Sequence, residues 1–242
     1  MYKNLSIVYD KLMDVDYDTY MNIVQKELGN QELSKDFLIL DLGCGSGAML
    51  KELSNYGEVY GVDNSEEMLA VASSKNQTSK LFAMDLLDIE SLGVSFNFVV
   101  SAFDVFNYLE DFHAFSNGLK AVYSSMKQGA TFIFDIHTPK KINYMLDSKV
   151  FAYEDEEINY IWFTYETENE LEVESELTFF VKEEEGLYRK LEEYQKQRTY
   201  EIDRVIAEIK KQGFSIENYF CDFDINNRDY TNSERILFIL KK

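Results

Sequence analysis

A short apolar run that stops on an acid and three alternating glycines constrains this chain more than any other feature. Phe37-Leu38-Ile39-Leu40 leads into Asp41-Leu42-Gly43-Cys44-Gly45-Ser46-Gly47. Consecutive apolar residues bounded in this way read as a strand buried on both faces, as in a parallel sheet. The glycines let the backbone turn sharply and come close to a ligand. Strand, glycine loop and helix in that order make a binding site at the carboxyl end of the strand.

The stretch that follows alternates strand and helix. Ala48 to Leu53 reads as helix, Val59-Tyr60-Gly61-Val62 as a second strand, and Asn64 as a helix cap with Glu67 completing a capping-box pair. Leu81-Phe82-Ala83 and Phe96 to Val100 read as the third and fourth strands. A helix over 110–127 that breaks at Gly129 precedes a fifth, Thr131 to Phe134. Such alternation implies a mostly parallel sheet with helices on both faces. Ahead of it, Tyr17, Tyr20, Met21, Val24 and Leu28 recur at helical spacing within a helical segment over 4–30.

The rhythm changes after Pro139, the only proline. Leu171, Val173, Leu177, Phe179 and Val181 alternate with Glu172, Glu174, Glu176 and Lys182, which describes a strand with one buried face. Tyr160 to Tyr165 is apolar on both faces, and Glu168-Asn169-Glu170 and Glu183 to Gly186 supply turns. An antiparallel β meander over 138–200 is therefore expected, inserted into a Rossmann-like domain made of 1–137 and 201–242. In the tail, 201–212 is a helix ended by Gly213, and Ile216 to Phe223 and Ile236 to Leu240 are strands with no helix between them. They are expected to be antiparallel neighbours.

Composition narrows the partners. There are 24 basic and 44 acidic residues, a net charge of −20. Nucleic-acid binding rests on neutralising phosphates with Lys and Arg, so this balance argues against such a substrate. Two cysteines and two histidines exclude a disulfide framework and a His-rich metal site. No signal peptide and no apolar stretch of about 20 residues is present. A cytoplasmic location is the expectation.

The charge at the glycine loop separates its possible ligands. Gly43, Gly45 and Ala48 also fit a relaxed dinucleotide fingerprint. A dinucleotide places a pyrophosphate there, which Asp41 at the strand end would repel. An acid suits a cation, such as the ammonium or sulfonium of S-adenosylmethionine. Asp63 ends the second strand, where a carboxylate can bind both ribose hydroxyls. Asp85 ends the third strand, ahead of Leu86, where an acid can accept from an adenine amino group, and Met68 can pack on an adenine face. Each acid alone would pass for a cap or a solvated loop residue; three at strand ends in one crevice point to a ligand.

This ordered set resembles the class I S-adenosylmethionine-dependent methyltransferases. Asp41 to Gly47 matches the family's first motif, the strand-end Asp63 its second, and Met84-Asp85-Leu86 its third. The two final strands resemble its reversed terminal hairpin, and the likeness covers roughly 35–137 and 201–242. The resemblance implies a cofactor site formed by Asp41, Gly43, Gly45, Gly47, Asp63, Asn64, Met68, Asp85, Leu86 and Ser101, with S-adenosylmethionine as cofactor.

Ser101 to Tyr108 follows the fourth strand, where the family lines its substrate pocket. It lacks the Asn/Asp-Pro-Pro-Tyr/Phe pattern of many nucleic-acid and protein methylators. Its Asn107-Tyr108 pair is similar to the glycine and amino-sugar N-methyltransferase branch, which also carries an antiparallel insertion after the fifth strand. Tyr9-Asp10 resembles that branch's active-site lid. A small-molecule amine or hydroxyl acceptor is thus expected, with a homodimer formed through the β insertion.

Methyl transfer is an in-line displacement that depends on alignment and exclusion of water more than on a base. For an amine that must shed a proton, His137 is the candidate base; equally, it can be a polar residue orienting the loop before Pro139. Tyr9 and Asn107 can touch cofactor or acceptor, or simply pack and cap. Trp162, Tyr160 and Arg198 can face a substrate, though aromatic stripes at strand spacing more often form core. His113 reads as a surface residue, and Cys44 lacks the neighbouring base that a thiolate nucleophile needs. Methylation of RNA or protein, a non-catalytic S-adenosylmethionine-binding module and, last, an NAD-dependent oxidoreductase are the competing readings.

Overall fold

The computed structural model describes residues 17–76, 78–183 and 186–242. Tyr9 and the lid ahead of residue 17 lie outside the described residues.

Two sheets organise the chain. Seven strands form the larger one in the order β10-β11-β5-β4-β1-β2-β3, and four form the smaller, β6-β7-β8-β9. At the centre of the first, β1 (Leu38–Leu42) pairs in parallel with β2 (Glu58–Asp63) and β4 (Phe96–Ser101). Ile39, Leu40 and Leu42 are fully buried, as a strand covered on both faces requires. β3 (Lys80–Ala83) extends the sheet from β2, and β5 (Met126–His137) from β4, both in parallel. β11 (Arg235–Lys241) runs antiparallel to β5 and to β10 (Ser215–Cys221), the reversed hairpin expected of the tail.

Helices cover both faces. α1 (Tyr17–Gly29) buries Tyr20, Met21, Ile23, Val24 and Leu28. α2 is only four residues long, Leu50–Leu53, because the glycine loop consumes Ala48 and Met49 in turns. α3 (Glu66–Lys75) is capped by Ser65 and not by Asn64: the serine hydroxyl accepts the amide of Met68 at 3.2 Å. The displaced Asn64 is thereby left at the strand end. α4 (Phe112–Ser125) is capped by Asp111, and α6 (Ile202–Lys211) buries the stripe Ile202, Val205 and Ile209.

The helix expected to break at Gly129 stops earlier, at Ser125. β5 begins directly at Met126 and takes in Gly129, whose φ of +78° accompanies a register shift between Phe96 and Phe98 on β4. β10 stops at Cys221, two residues before the expected end, because Asp222 and Phe223 take left-handed backbone.

Between β5 and α6 lies α5 (Pro139–Ser148), with Thr138 as N-cap and the lone proline in its first turn. The smaller, antiparallel sheet follows: β6 (Val150–Glu154), β7 (Ile158–Glu166), β8 (Glu172–Lys182) and β9 (Tyr188–Arg198). Ile142, Met145 and Val173 bury one another where α5 meets this sheet. Among the described residues no helix is long and apolar enough to cross a membrane.

Candidate active site

The carboxyl ends of β1, β2, β3 and β4 surround a cavity of about 810 Å³, counted with its open mouth. That is ample for a nucleoside-sized ligand. The structure brings Gly43, Gly45, Asp63, Asn64, Met68, Asp85 and Leu86 together around it, from three separate crossovers of the sheet.

The loop holds its shape through its glycines and through Asp63. Gly43, Gly45 and Gly47 have φ of +76°, +51° and +79°, a region side chains other than glycine's rarely adopt. Gly45 donates its amide to Asp63 Oδ2 at 2.9 Å, and Ser65 donates to Asp63 Oδ1 at 2.9 Å. A Cβ on Gly45 would meet no atom within 4 Å, so the loop presents bare backbone to the cavity there. Gly47 stands behind it, packed against Leu50, Ala72 and Asn76, and its carbonyl accepts from Asn76 Nδ2 at 3.1 Å.

Asp41 lies beneath the loop at 3% exposure. Burial and the charge of Asp63 push its carboxyl up to about 7. Asp63 is also raised, by burial first, with the amides of Ser65 and Gly45 pulling the other way. Asp85 spends one oxygen on capping: Oδ1 accepts from Leu87 at 2.8 Å as a 3-10 turn over Leu86–Leu92 begins. Burial holds the Cys44 thiol well above its usual range, which removes it as a nucleophile.

Ser101 is placed behind the wall and not in it. Its hydroxyl donates to the carbonyl of Leu42 at 2.9 Å, linking β4 to β1, while Ala102, Phe103 and Val105 line the cavity. Asn107 is a clamp at 2% exposure: its carbonyl accepts the amide of His137 at 2.9 Å and its amide donates to the carbonyl of Arg198 at 2.6 Å. His137 does not reach this cavity. It borders a second depression with Lys141, Asp222, Phe223, Glu234 and Arg235. Its Nε2 stands 3.3 Å from an Arg235 nitrogen and 3.6 Å from Asp104, and burial lowers its pKa to about 4. Such a ring is neutral near pH 7 and a weak proton acceptor. Arg198 is paired with Glu172, a contact that occupies it within the smaller sheet.

Sequence reasoning missed a buried ionic cluster beside the cavity. Arg235 on β11 pairs with Asp135 on β5 and with Asp104, 2.9 Å away. Asp135 also accepts the amides of Phe103 at 2.7 Å and Asp104 at 3.1 Å, both residues in left-handed backbone. The signal was available: Asp135 stands alone in the apolar run Phe132 to Ile136, where an acid requires a partner.

The cavity fits S-adenosylmethionine. Its lining offers Asp63 and Asp85 beside the apolar Met68, Met84 and Leu86, and no Lys or Arg among the described residues. If the cofactor binds here, Asp63 and Gly45 would hold its ribose, Asp85 its adenine amino group, and Met68 and Leu86 the adenine faces. A pyrophosphate would find only repulsion here.

Comparisons with known proteins agree with this geometry. The family model for a methyltransferase domain matches residues 39–129. A relative from Geobacillus sp. strain WCH70, described as a candidate methyltransferase, is 34% identical over 247 aligned residues, covering 100% of this chain and 99% of its own. A crystal structure of an S-adenosylmethionine-dependent methyltransferase from Clostridium acetobutylicum ATCC 824 superimposes with a TM-score of 0.88 at 27% identity, covering 99% and 98% of the two chains. The sugar N-methyltransferase KedS8 from Streptoalloteichus sp. ATCC 53650 shares the fold, with a TM-score of 0.75 at 17% identity over 97% and 92%. Site, fold and kinship agree: the chain belongs to the class I S-adenosylmethionine-dependent methyltransferases.

Proposed function

We propose that this methyltransferase acts on an amine or hydroxyl group of a small molecule. The observation that carries the reading is how the smaller sheet is bonded to the cavity wall. Along 104–108, Asp104 Oδ2 accepts from Gln197 at 2.6 Å, Asn107 donates to Arg198 at 2.6 Å, and the Tyr108 hydroxyl meets Gln195 Oε1 at 3.2 Å. Tyr108 itself lines the cavity. The last strand of the insertion therefore stands against the cofactor site, an arrangement suited to a compact acceptor. The net charge of −20 favours such an acceptor over RNA. The fold shared with a sugar N-methyltransferase is compatible with it.

S-adenosylmethionine supplies a methyl group already activated on a sulfonium. The chain's own part is to bind, align and exclude water. Asp63, Asn64 and Asp85 bind the nucleoside; Asp41, raised to about 7, is only partly ionised beneath the loop near neutral pH. His137 and Asn107 act by position, since the hydrogen bond from the His137 backbone amide to Asn107 Oδ1 and the low pKa of His137 suit a braced strand end more than a base.

The test is transfer from methyl-labelled S-adenosylmethionine to a library of metabolite amines and alcohols, with ribosomal RNA and total protein run in parallel. Label in the small-molecule fraction is expected. Label confined to RNA or protein would overturn the reading.

A further inference from the structure

The second depression, which His137 borders, has no role in holding the cofactor. It opens where β5 ends and β11 begins, with His137 and Lys141 on one side and Asp222, Phe223, Glu234 and Arg235 on the other. It stands next to the donor cavity. The Tyr20 ring packs on Phe103, which lines the cavity, at 4.9 Å between centroids, and on Phe223, which lines the depression, at 5.7 Å. One layer of rings separates the two hollows.

His137 is 6% exposed, and its backbone is fixed by Asn107 at the amide and by the Thr199 hydroxyl at the carbonyl. Arg235 decides which ring nitrogen carries the proton. A guanidinium only donates, so its nitrogen 3.3 Å from Nε2 meets a lone pair there. Asp104, 3.6 Å from Nε2, is beyond hydrogen-bonding distance. With burial keeping the ring neutral, the proton sits on Nδ1. Nδ1 is buried with no hydrogen-bond partner. Buried polar groups are nearly always bonded, so this N–H calls for an oxygen.

The surrounding charge says which kind of oxygen. Lys141 is held by Glu234 at 2.6 Å, and Arg235 is already met by Asp104 and Asp135. Asp222 adds a further carboxylate, whose Oδ1 accepts the amides of Glu234 and Arg235 at 3.0 Å each. Acids therefore outnumber bases around the ring, and an oxyanion would be repelled. An uncharged carbonyl or hydroxyl oxygen would not, and Phe223 offers it a flat apolar neighbour.

We propose that this depression is a subsite for the methyl acceptor, in which His137 Nδ1–H donates to an uncharged carbonyl or hydroxyl oxygen remote from the reacting group. Binding a remote part of the acceptor helps to align the reacting part. The competing occupant is an anion, drawn by Lys141 and by the start of α5, and the same experiment decides between them.

The subsite rests on the small-molecule reading above, and its test separates the two. His113 and His137 are the only histidines, and His113 is exposed on α4, so imidazole-labelled histidine gives one reporter and one internal reference. The full chain, loaded with S-adenosylhomocysteine, is titrated with benzamide and with benzoate, which share shape and differ in charge, while nitrogen NMR follows both rings. His137 should carry its proton on Nδ1 and shift saturably with benzamide at about millimolar affinity, while His113 stays still. Benzoate should bind about tenfold or more weakly. Asp222→Asn keeps an oxygen for the two amides but loses the charge, and should narrow that gap. His137→Phe keeps a ring but no donor; ligand-observed NMR should find benzamide weakened about tenfold, with S-adenosylhomocysteine affinity unchanged by calorimetry.

A proton on Nε2, no saturable response to benzamide, benzoate binding as tightly as benzamide, or displacement of S-adenosylhomocysteine by benzamide would each overturn the proposal. If label reaches metabolites while benzamide leaves His137 unmoved, only the subsite fails. If benzamide binds as expected but label reaches only RNA or protein, the small-molecule reading fails and the preference for an uncharged oxygen stands.

Discussion

The carboxylate of Asp135 on β5 accepts the backbone amide of Phe103 at 2.7 Å, so a buried acid in one strand fixes the cavity wall that follows another. The same carboxylate holds Asp104 and is neutralised by Arg235. Two adjacent left-handed residues, Phe103 and Asp104, would each cost about 1–2 kcal/mol unaided. Their persistence depends on this cluster.

Removing the cation should therefore be severe. Arg235→Met leaves Asp104 and Asp135 buried without counter-charge, a loss of about 3–5 kcal/mol of stability. Arg235→Lys keeps the charge but not the two-pronged fork, and should lose less. Urea unfolding of the two variants checks the order; equal losses would show that charge alone matters.

Gly43 and Gly45 should respond differently to alanine. Both have positive φ, so each variant bears about 1–2 kcal/mol of backbone strain. A Cβ on Gly43 additionally overlaps the side chain of Val105, whereas one on Gly45 meets nothing and only intrudes on the cavity. Gly43→Ala should lower both melting temperature and cofactor affinity. Gly45→Ala should lose affinity with the smaller stability cost, as thermal melts and calorimetry together would reveal.

Asp63 supports the loop and lines the cavity at once. Asp63→Asn halves its acceptor capacity and removes its charge, so S-adenosylhomocysteine should bind about tenfold or more weakly. Calorimetry reads this directly, and unchanged affinity would remove Asp63 from the site.

Asp41 makes stability depend on pH with a definite sign. Its carboxyl sits at about 7 in the folded chain against 3.8 when unexposed to this environment. Between those values the folded state holds a proton that the unfolded state has released, so this group's contribution falls as pH rises from about 4 to about 7. His137, lowered to about 4, acts oppositely, favouring the unfolded state as pH falls below its ordinary 6.5. Asp41→Asn isolates the first effect. Relative to wild type, the variant should gain stability across that window and hold the gain above it; parallel urea midpoints from pH 5 to pH 8 would contradict the assignment.

The donor site was legible because its parts are local. An apolar run, an acid and glycines specify strand, turn and close approach within seven residues; Asp63 ends β2, and Asp85 stands two residues past the end of β3, where it caps the next turn. Alternation after Pro139 likewise announced an antiparallel sheet, since its period of two is written in consecutive residues. Asp135 announced that it needs a partner, but which residues join it was not legible, because Arg235 lies 100 residues from Asp135 and 131 from Asp104 and only packing brings them together. For the same reason the sequence left His137 open between a base and a loop-orienting residue: nothing near it in the chain announces the arginine beside its ring or the burial that lowers its pKa. The glycine loop and the acids at Asp41, Asp63 and Asp85 were enough to point to the cofactor; desolvation and long-range charge, which exist only once the strands are stacked, decided which polar residues line the cavity and which brace its wall.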